Sequence, residues 1–185
     1  GNLVNAAELR AALEAEGSIF QTTSDTEVIL HLMARNPRKD IVESLMVALQ
    51  QVRRAYSLLL ATSDGLIAAR DPHGFRPLLT GSVRGGTAFG SEGCAFDLVE
   101  ATDARELAPG EVLVCRDNGE TESYRLPAVP KPSRCIFEHV YFARPDSSVF
   151  GDAVSEVRLA VGQRLAAEAP VDADLVWPVP DSGGF

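Results

Sequence analysis

The sequence is short of cysteine, of aromatic residues and of basic side chains. Its three cysteines, Cys94, Cys115 and Cys135, are widely spaced and odd in number. This spacing argues against a disulfide framework or a compact zinc site, and it favours a reducing, cytoplasmic setting. The sequence has no run of about 18 apolar residues, the length that a membrane-spanning helix requires. We therefore expect no membrane partner.

The charge balance is acidic. Lysine and arginine number 17 against 26 aspartates and glutamates, a formal net charge of −9. Such a surface opposes non-specific binding to nucleic acid, so we expect no nucleic-acid partner. The hydrophobic share of 45% and the charged share of 23% exclude a disordered or collagen-like chain.

The first 50 residues carry apolar side chains at helical spacing, and three helices are predicted there. Asn5 is the expected N-cap of the first. Ser24, followed three residues later by Glu27, forms a capping-box pattern that predicts the start of the second. Asp40 is the expected N-cap of the third.

Beyond these helices the pattern changes to short apolar runs separated by turn residues. Turn signals occur at 64–65, 84–86 and 117–119, and the last, Asp-Asn-Gly, is typical of a β-hairpin. A block of helices followed by antiparallel hairpins predicts an α+β layered domain.

A proline-rich connector begins after this block, at residues 126–132. Because proline cannot donate to a sheet ladder, the connector predicts a domain boundary. We expect one domain over residues 1–125, a linker over 126–134 and the beginning of a second domain over 135–185.

The last 32 residues predict a helix over 154–168 and then a buried strand over 174–179. This strand leads into Asp181, Ser182 and Gly183, followed by a second glycine. A strand that ends in a glycine-rich turn with a hydroxyl can present backbone amides to a phosphate. An ordinary glycine-rich turn also fits the pattern, and on spacing alone it is the favoured interpretation.

Three further polar positions each have a structural and a functional interpretation. Asp25 either caps a helix or pairs with a substrate ammonium group. His73 either belongs to a rigid loop or acts as a general base, which would need a nucleophile within hydrogen-bond reach. His31 lies within a helical apolar pattern, which favours a packed residue over a metal ligand.

Several segments together resemble one family, the class II glutamine amidotransferases, and within it the amidophosphoribosyltransferases that use phosphoribosyl pyrophosphate. The segments that carry the resemblance are residues 1–5 (Gly-Asn-Leu-Val-Asn), 22–27 (Thr-Thr-Ser-Asp-Thr-Glu), 70–78 (Arg-Asp-Pro-His-Gly-Phe-Arg-Pro-Leu), 91–97 (Ser-Glu-Gly-Cys-Ala-Phe-Asp), 135–147 (Cys-Ile-Phe-Glu-His-Val-Tyr-Phe-Ala-Arg-Pro-Asp-Ser) and 178–183 (Pro-Val-Pro-Asp-Ser-Gly). The stretch over 135–147 is the most diagnostic of them.

The resemblance implies a fold and an activity. The fold is a partial αββα N-terminal-nucleophile glutaminase sandwich over 1–125, followed by the start of an α/β type I phosphoribosyltransferase domain over 135–185. The activity is glutamine-dependent transfer of ammonia to phosphoribosyl pyrophosphate, which gives 5-phosphoribosylamine, the first step of de novo purine biosynthesis. Glutamine and phosphoribosyl pyrophosphate are the implied partners, with a homo-oligomer expected.

The resemblance also assigns residues. Gly1 and Asp25 fall on glutamine-binding positions, and Asp25 meets the substrate's α-amino group. Tyr141 falls on an aromatic that couples the two active sites. Asp181, Ser182 and Gly183 fall in the pyrophosphate loop.

The same resemblance implies an internal fragment. The nucleophilic cysteine and the oxyanion asparagine of the family precede the position of Gly1, so we expect these 185 residues alone to be catalytically inactive. Mg²⁺ is expected in the full-length enzyme. Cys135 lies near a position that some members use for an iron–sulfur cluster, and we do not expect a cluster here.

Two other functions are compatible with part of the pattern. Another class II amidotransferase would share the segments at 1–5 and 22–27, but it would have no reason to carry those at 135–147 and 178–183. A non-catalytic binding module derived from an amidotransferase would fit the missing nucleophile.

Overall fold

The computed structural model describes residues 2–38, 40–127, 131–180 and 182–184. For Asn2 and Ser182 it describes the backbone and not the side chain. The α-helices are α1 Ala6–Ala15, α2 Glu27–Arg35, α3 Ile41–Leu49, α4 Gly93–Leu98 and α5 Val154–Glu168, and a π-helix spans Glu138–Phe142. A short 3₁₀ turn covers Ser182–Gly184. The strands are β1 Asn2–Leu3, β2 Arg54–Ala55, β3 Ser57–Thr62, β4 Gly65–Arg70, β5 Leu79–Val83, β6 Gly86–Gly90, β7 Thr102–Glu106, β8 Glu111–Arg116, β9 Thr121–Arg125, β10 Ser148–Val149 and β11 Asp152–Ala153.

The first of two compact units comprises residues 1–76 and 107–133. Its main sheet has the order β3-β4-β8-β9, with antiparallel neighbours throughout. Apolar side chains of α1, α2 and α3 and of this sheet form one core, and its buried members include Val28, Val42, Leu45, Ile67 and Val112. The hairpins at 64–65 and 117–119 form as the sequence predicts.

The helices of this unit begin close to the predicted positions, but two of the three predicted capping hydrogen bonds do not form. Asp40 caps α3 as predicted, since its Oδ1 accepts from the amide of Val42 at 3.0 Å. The predicted side-chain cap of Asn5 is wrong: the side chain accepts from the amide of Arg53 and donates to the carbonyl of Gln51. These contacts fasten the start of α1 to the loop that follows α3.

The predicted capping box at Ser24 is also wrong in its partners. Glu27 is the first residue of α2, but its carboxylate accepts from the amides of Gln21 and Thr22. Ser24 instead bonds through its hydroxyl to that of Thr26 at 2.7 Å.

The second compact unit comprises residues 77–106 and 134–185. It contains a three-stranded antiparallel sheet of order β6-β5-β7, together with α4, the π-helix and α5. Ala143, Val149, Phe150 and Val154 form a small buried cluster at the start of α5. The helix predicted over 154–168 is confirmed.

The chain passes between the units after residues 76, 106 and 133. The last passage lies inside the predicted linker, 126–134, and the first two lie within the predicted first domain. The division into evolutionary domains stays a prediction. The strand predicted over 174–179 does not form; these residues lie exposed, with Trp177 at 82%. An apolar run of strand length needs a neighbouring strand, and none pairs with it among the described residues.

The predicted α+β class is confirmed by these helices and antiparallel sheets. None of the described helices has both the length and the hydropathy that a bilayer crossing requires.

Candidate functional site

Asp25 lies on the short turn that leads into α2. Its Oδ2 accepts a hydrogen bond from the amide of Leu3 at 2.8 Å. Its second oxygen, Oδ1, has no hydrogen-bond partner among the described residues, and the side chain is only partly buried. Asp25 therefore holds the strand that follows Gly1 with one oxygen and leaves the other for a further donor.

The residues on either side of Asp25, Ser24 and Thr26, contribute to the wall of an apolar cleft of about 420 Å³. Its other walls come from α2 and from the β3–β4 hairpin, including Leu58 and Leu60. Asp25 itself does not line this cleft; its side chain is partly buried and bonds to the Leu3 amide.

Glu27 organises the backbone just before Asp25. Its carboxylate accepts from the amides of Gln21 (2.7 Å) and Thr22 (2.8 Å) and from the Thr22 hydroxyl (2.6 Å). These bonds lower the pKa of Glu27 to about 2, and the bond from the Gln21 amide has the largest effect. His31 lies one turn along α2, 3.6 Å from Glu27 Oε1, with its ring 4.1 Å from that of Phe20. His31 is a packed residue, in agreement with the structural interpretation.

The 70–77 loop is held by hydrogen bonds between two buried side chains, those of Arg70 and Asp71, and backbone groups. Arg70, which is buried, donates to the carbonyls of Gly74 (3.1 Å), Arg76 (2.9 Å) and Leu107. Asp71 is fully buried and accepts from two loop amides. Burial raises the pKa of Asp71, and the amide hydrogen bonds oppose that rise.

Two aromatic residues, Tyr56 and His73, lie at or beside this loop. The Tyr56 hydroxyl is buried and has no hydrogen-bond partner among the described residues, and burial together with the Asp71 charge raises its pKa. The His73 ring packs against Phe75 with centroids 5.1 Å apart. These contacts support a scaffolding role for the loop over general-base chemistry at His73.

In the second unit, one carboxylate joins two of the segments on which the resemblance rests. Glu92 Oε2 accepts from the Arg144 amide at 2.8 Å and from the Ser147 hydroxyl at 3.0 Å. Arg144 and Asp146 form a bidentate ion pair, at 3.0 and 2.8 Å, and Arg144 lowers the pKa of Asp146. Sequence reasoning did not assign Glu92 a role, although its position inside the 91–97 segment was a usable signal.

Tyr141 lies on the π-helix just before this turn and is 68% exposed. The π-helix is anchored from α5, because Arg158 donates to the carbonyls of His139 (2.7 Å) and Ala143 (2.8 Å). His139 itself is buried, with Nε2 3.2 Å from the Val149 carbonyl. Arg158 therefore fixes the helix that presents Tyr141 to solvent.

The remaining predicted site residues are not tested by the geometry. Gly1 and Asp181 lie outside the described residues, as does the side chain of Ser182. The backbone turns here, with the Gly183 amide 3.2 Å from the Val179 carbonyl. The pyrophosphate-loop assignment of Asp181, Ser182 and Gly183 stays a prediction.

The described residues offer no group of three histidine, cysteine, aspartate or glutamate side chains arranged for a metal ion. The Mg²⁺ expected in the complete protein stays a prediction. Cys94, Cys115 and Cys135 form no disulfide; Cys94 and Cys135 are partly buried and Cys115 is buried.

Comparisons with known proteins place the chain in a family. A family model described as a glutamine amidotransferase domain matches residues 1–97. Amidophosphoribosyltransferase 2, chloroplastic, of Arabidopsis thaliana is 51% identical over 184 residues, which cover 99% of this chain and 33% of that protein. The amidophosphoribosyltransferase of Bacillus subtilis (strain 168) is 44% identical over 182 residues, 98% of this chain and 38% of that protein.

Solved structures agree with these relatives. One described as the allosteric regulatory enzyme of purine biosynthesis matches with a TM-score of 0.93 at 43% identity, over 98% of this chain and 39% of that one. The glutamine phosphoribosylpyrophosphate amidotransferase of B. subtilis, complexed with ADP and GMP, matches with a TM-score of 0.92 at 43% identity, over 98% and 40%. The predicted fold class and family are confirmed. The chain spans about a third of the length of the first of these relatives, and over that span it belongs to the glutamine amidotransferase family and aligns with the amidophosphoribosyltransferases.

Proposed function

We propose that the protein to which this chain belongs hydrolyses glutamine to glutamate with water and transfers the released ammonia to phosphoribosyl pyrophosphate, giving 5-phosphoribosylamine and pyrophosphate. The observation that carries the proposal is the extent of the similarity. It covers 99% of the chain at 51% identity and so continues through residues 98–185, beyond the amidotransferase model. A different class II amidotransferase would share only the first part.

Of the two proposed glutamine-binding residues, Gly1 and Asp25, the structure describes Asp25. A carboxylate oxygen with no partner can accept a hydrogen bond from the α-ammonium group of glutamine, and charge-assisted bonds of this kind are among the stronger polar contacts. The bond from the Leu3 amide to the other oxygen orients the carboxylate before substrate arrives. Gly1, two residues before Leu3, would act beside it.

Coupling between the two chemistries is assigned to Tyr141. Its exposure leaves the phenol ring available for contact, and the Arg158 bonds fix the helix that carries it. Asp181, Ser182 and Gly183 would hold the pyrophosphate group. Mg²⁺, when bound in the complete protein, would neutralise charge on that group.

The setting of the reaction follows the same proposal. Three cysteines that form no disulfide support a reducing compartment, and we propose a cytoplasmic one, although the Arabidopsis relatives are named chloroplastic. A homo-oligomer is part of the proposal. That these 185 residues alone are inactive stays a prediction.

Product analysis of the complete protein tests the proposal. With glutamine and phosphoribosyl pyrophosphate together, we expect glutamate and pyrophosphate in equal amounts. Glutamate formation that is indifferent to phosphoribosyl pyrophosphate, with no pyrophosphate released, would instead support another amidotransferase. A protein that turns over neither substrate would support the non-catalytic binding module.

A further inference from the structure

A second cleft, of about 780 Å³, opens in the first unit, and its lining includes His73, which the sequence analysis considered as a general base. Val4, Val52 and Leu126 contribute apolar wall, and Arg53, Arg54 and His73 contribute polar groups. Among the residues that the structure describes, no aspartate or glutamate lines it. In a chain that carries 26 acidic residues, a cleft whose charged side chains are two arginines is electrostatically distinct.

The backbone that carries the arginines is fixed and strained. Arg54 has φ +85°, a conformation that favours glycine. It is held there by antiparallel pairing with Leu3, and the carbonyl of Arg53 accepts from the amide of Val4 at 3.2 Å. Asn5 clamps the same loop by accepting from the Arg53 amide at 2.8 Å. Strain of this kind at a non-glycine residue is concentrated at ligand sites, because the surrounding structure must offset its cost.

The two guanidinium groups have no hydrogen-bond or ion-pair partner among the described residues. Each guanidinium has five N–H donors in a planar fork that matches phosphate oxygens. His73 belongs to the same lining, and its ring packs on Phe75. The cleft volume falls within the range of sites for small molecules.

We propose that this cleft binds a small phosphate-bearing molecule through Arg53 and Arg54, with His73 at its side. The apolar wall formed by Val4, Val52 and Leu126 would contact the non-phosphate part of the ligand. Asp25 does not line this cleft, so the proposed ligand would not use the carboxylate assigned to glutamine. The inference goes beyond the proposed function and does not depend on it.

Calorimetric titration of this chain with inorganic pyrophosphate at low salt tests the proposal. Arg54→Gly removes one guanidinium and also relieves the positive φ, so the variant should fold at least as well as the parent. Loss of one charge-assisted contact should weaken pyrophosphate binding by about tenfold or more. Arg53→Gln, at an ordinary backbone position, should weaken it similarly.

Arg84→Gly is the matched control. Arg84 is exposed, has φ +49° and lies in the other unit, so the substitution makes the same change in charge and backbone away from the cleft. Arg84→Gly should leave pyrophosphate affinity unchanged.

Three results would overturn the proposal. The unchanged chain could fail to bind pyrophosphate at millimolar concentration. Arg54→Gly and Arg84→Gly could weaken binding equally, which would indicate a general charge effect. Binding could also survive Arg54→Gly and be lost in Ser182→Ala, which would place the anion at residues 181–183.

Discussion

Asp25 Oδ2 and the Leu3 amide are 2.8 Å apart, although 22 positions separate the two residues in the chain. This bond brings the segment that follows Gly1 against the turn before α2, so that two of the segments recognised in the sequence meet in space. It uses one carboxylate oxygen and leaves the other without a partner among the described residues. The proposed glutamine contact depends on that division between a structural and a ligand-binding oxygen.

Glu27→Gln should destabilise the chain in a pH-dependent way. The folded-state pKa of Glu27 is about 2, below its ordinary value of 4.5, because the Gln21 and Thr22 amides bond the charged form. Its contribution is therefore fully present above about pH 4.5 and is lost as pH falls towards 2. Thermal melts should show a gap between parent and variant at pH 7 that closes over this window.

Glu43→Gln is the control. Glu43 lies in the first turn of α3 as Glu27 lies in the first turn of α2, and the Glu43 side chain is exposed. A gap of equal size for both variants, or one that persists at pH 2, would contradict the assigned bonds.

Gly74→Ala should be more harmful than a glycine substitution at an open turn. Gly74 has φ +64°, and a Cβ there would lie 2.8 Å from Pro109 Cγ. Gly119, with φ +85°, has no atom within 4 Å of its Cβ position, so Gly119→Ala carries only the backbone cost of about 1–2 kcal/mol. Urea denaturation should show a larger loss for Gly74→Ala. Equal losses would mean that Pro109 gives way freely.

Glu92 and Ser147 should show energetic coupling. Glu92→Ala leaves the hydroxyl of Ser147, a residue that is 2% exposed, without its carboxylate partner. An unsatisfied buried group costs about 1–3 kcal/mol. In a double-mutant cycle, adding Ser147→Ala to Glu92→Ala should therefore cost less than Ser147→Ala alone. Additive losses would show that the 3.0 Å contact contributes nothing.

Arg70→Lys should lower stability despite the retained charge. Arg70 donates to carbonyls of Gly74, Arg76 and Leu107 in a buried position, and a lysine cannot reproduce a planar fork. We expect a loss of about 2–4 kcal/mol by urea denaturation, since two buried carbonyls would lose their donor.

Arg116→Lys, at an exposed ion pair with Glu122, is the comparison and should change stability much less, because solvent screens an exposed pair. If the two substitutions cost the same, the 70–77 loop does not depend on the guanidinium.

The sequence predicts best where local chemistry is decisive. Asp40 caps α3 because its own side chain reaches the Val42 amide, and the 117–119 hairpin follows from turn residues that accept the required backbone angles. The helix at 154–168 follows from its length and from residues that favour helices. The position of Asp25 could be predicted from resemblance, but its bond to Leu3 could not, because the pairing is tertiary.

The elements that the sequence misses depend on distant partners. The π-helix requires Arg158, about 20 residues onward, to hold the carbonyls of His139 and Ala143. β7 is a polar strand without alternation, and it forms because β5 provides an edge to pair with. The run at 174–179 looks like a strand by composition, yet it remains unpaired among the described residues. The cleft at Arg53 and Arg54 was likewise not visible, since a pair of arginines before a strand is common on any surface.

Asp25→Asn in the complete protein is the most direct measurement of the central claim. The substitution keeps an oxygen for the Leu3 amide while removing the charge that would meet the glutamine ammonium group. We expect kcat/KM for glutamine to fall by about 10- to 100-fold, the equivalent of one charge-assisted contact. Synthesis driven by ammonium chloride should be unchanged, as should both activities of Asp117→Asn, a control at an exposed hairpin turn. Glutamine kinetics unaffected by Asp25→Asn, or an equal loss with ammonium chloride, would contradict the assignment of Asp25 to glutamine binding.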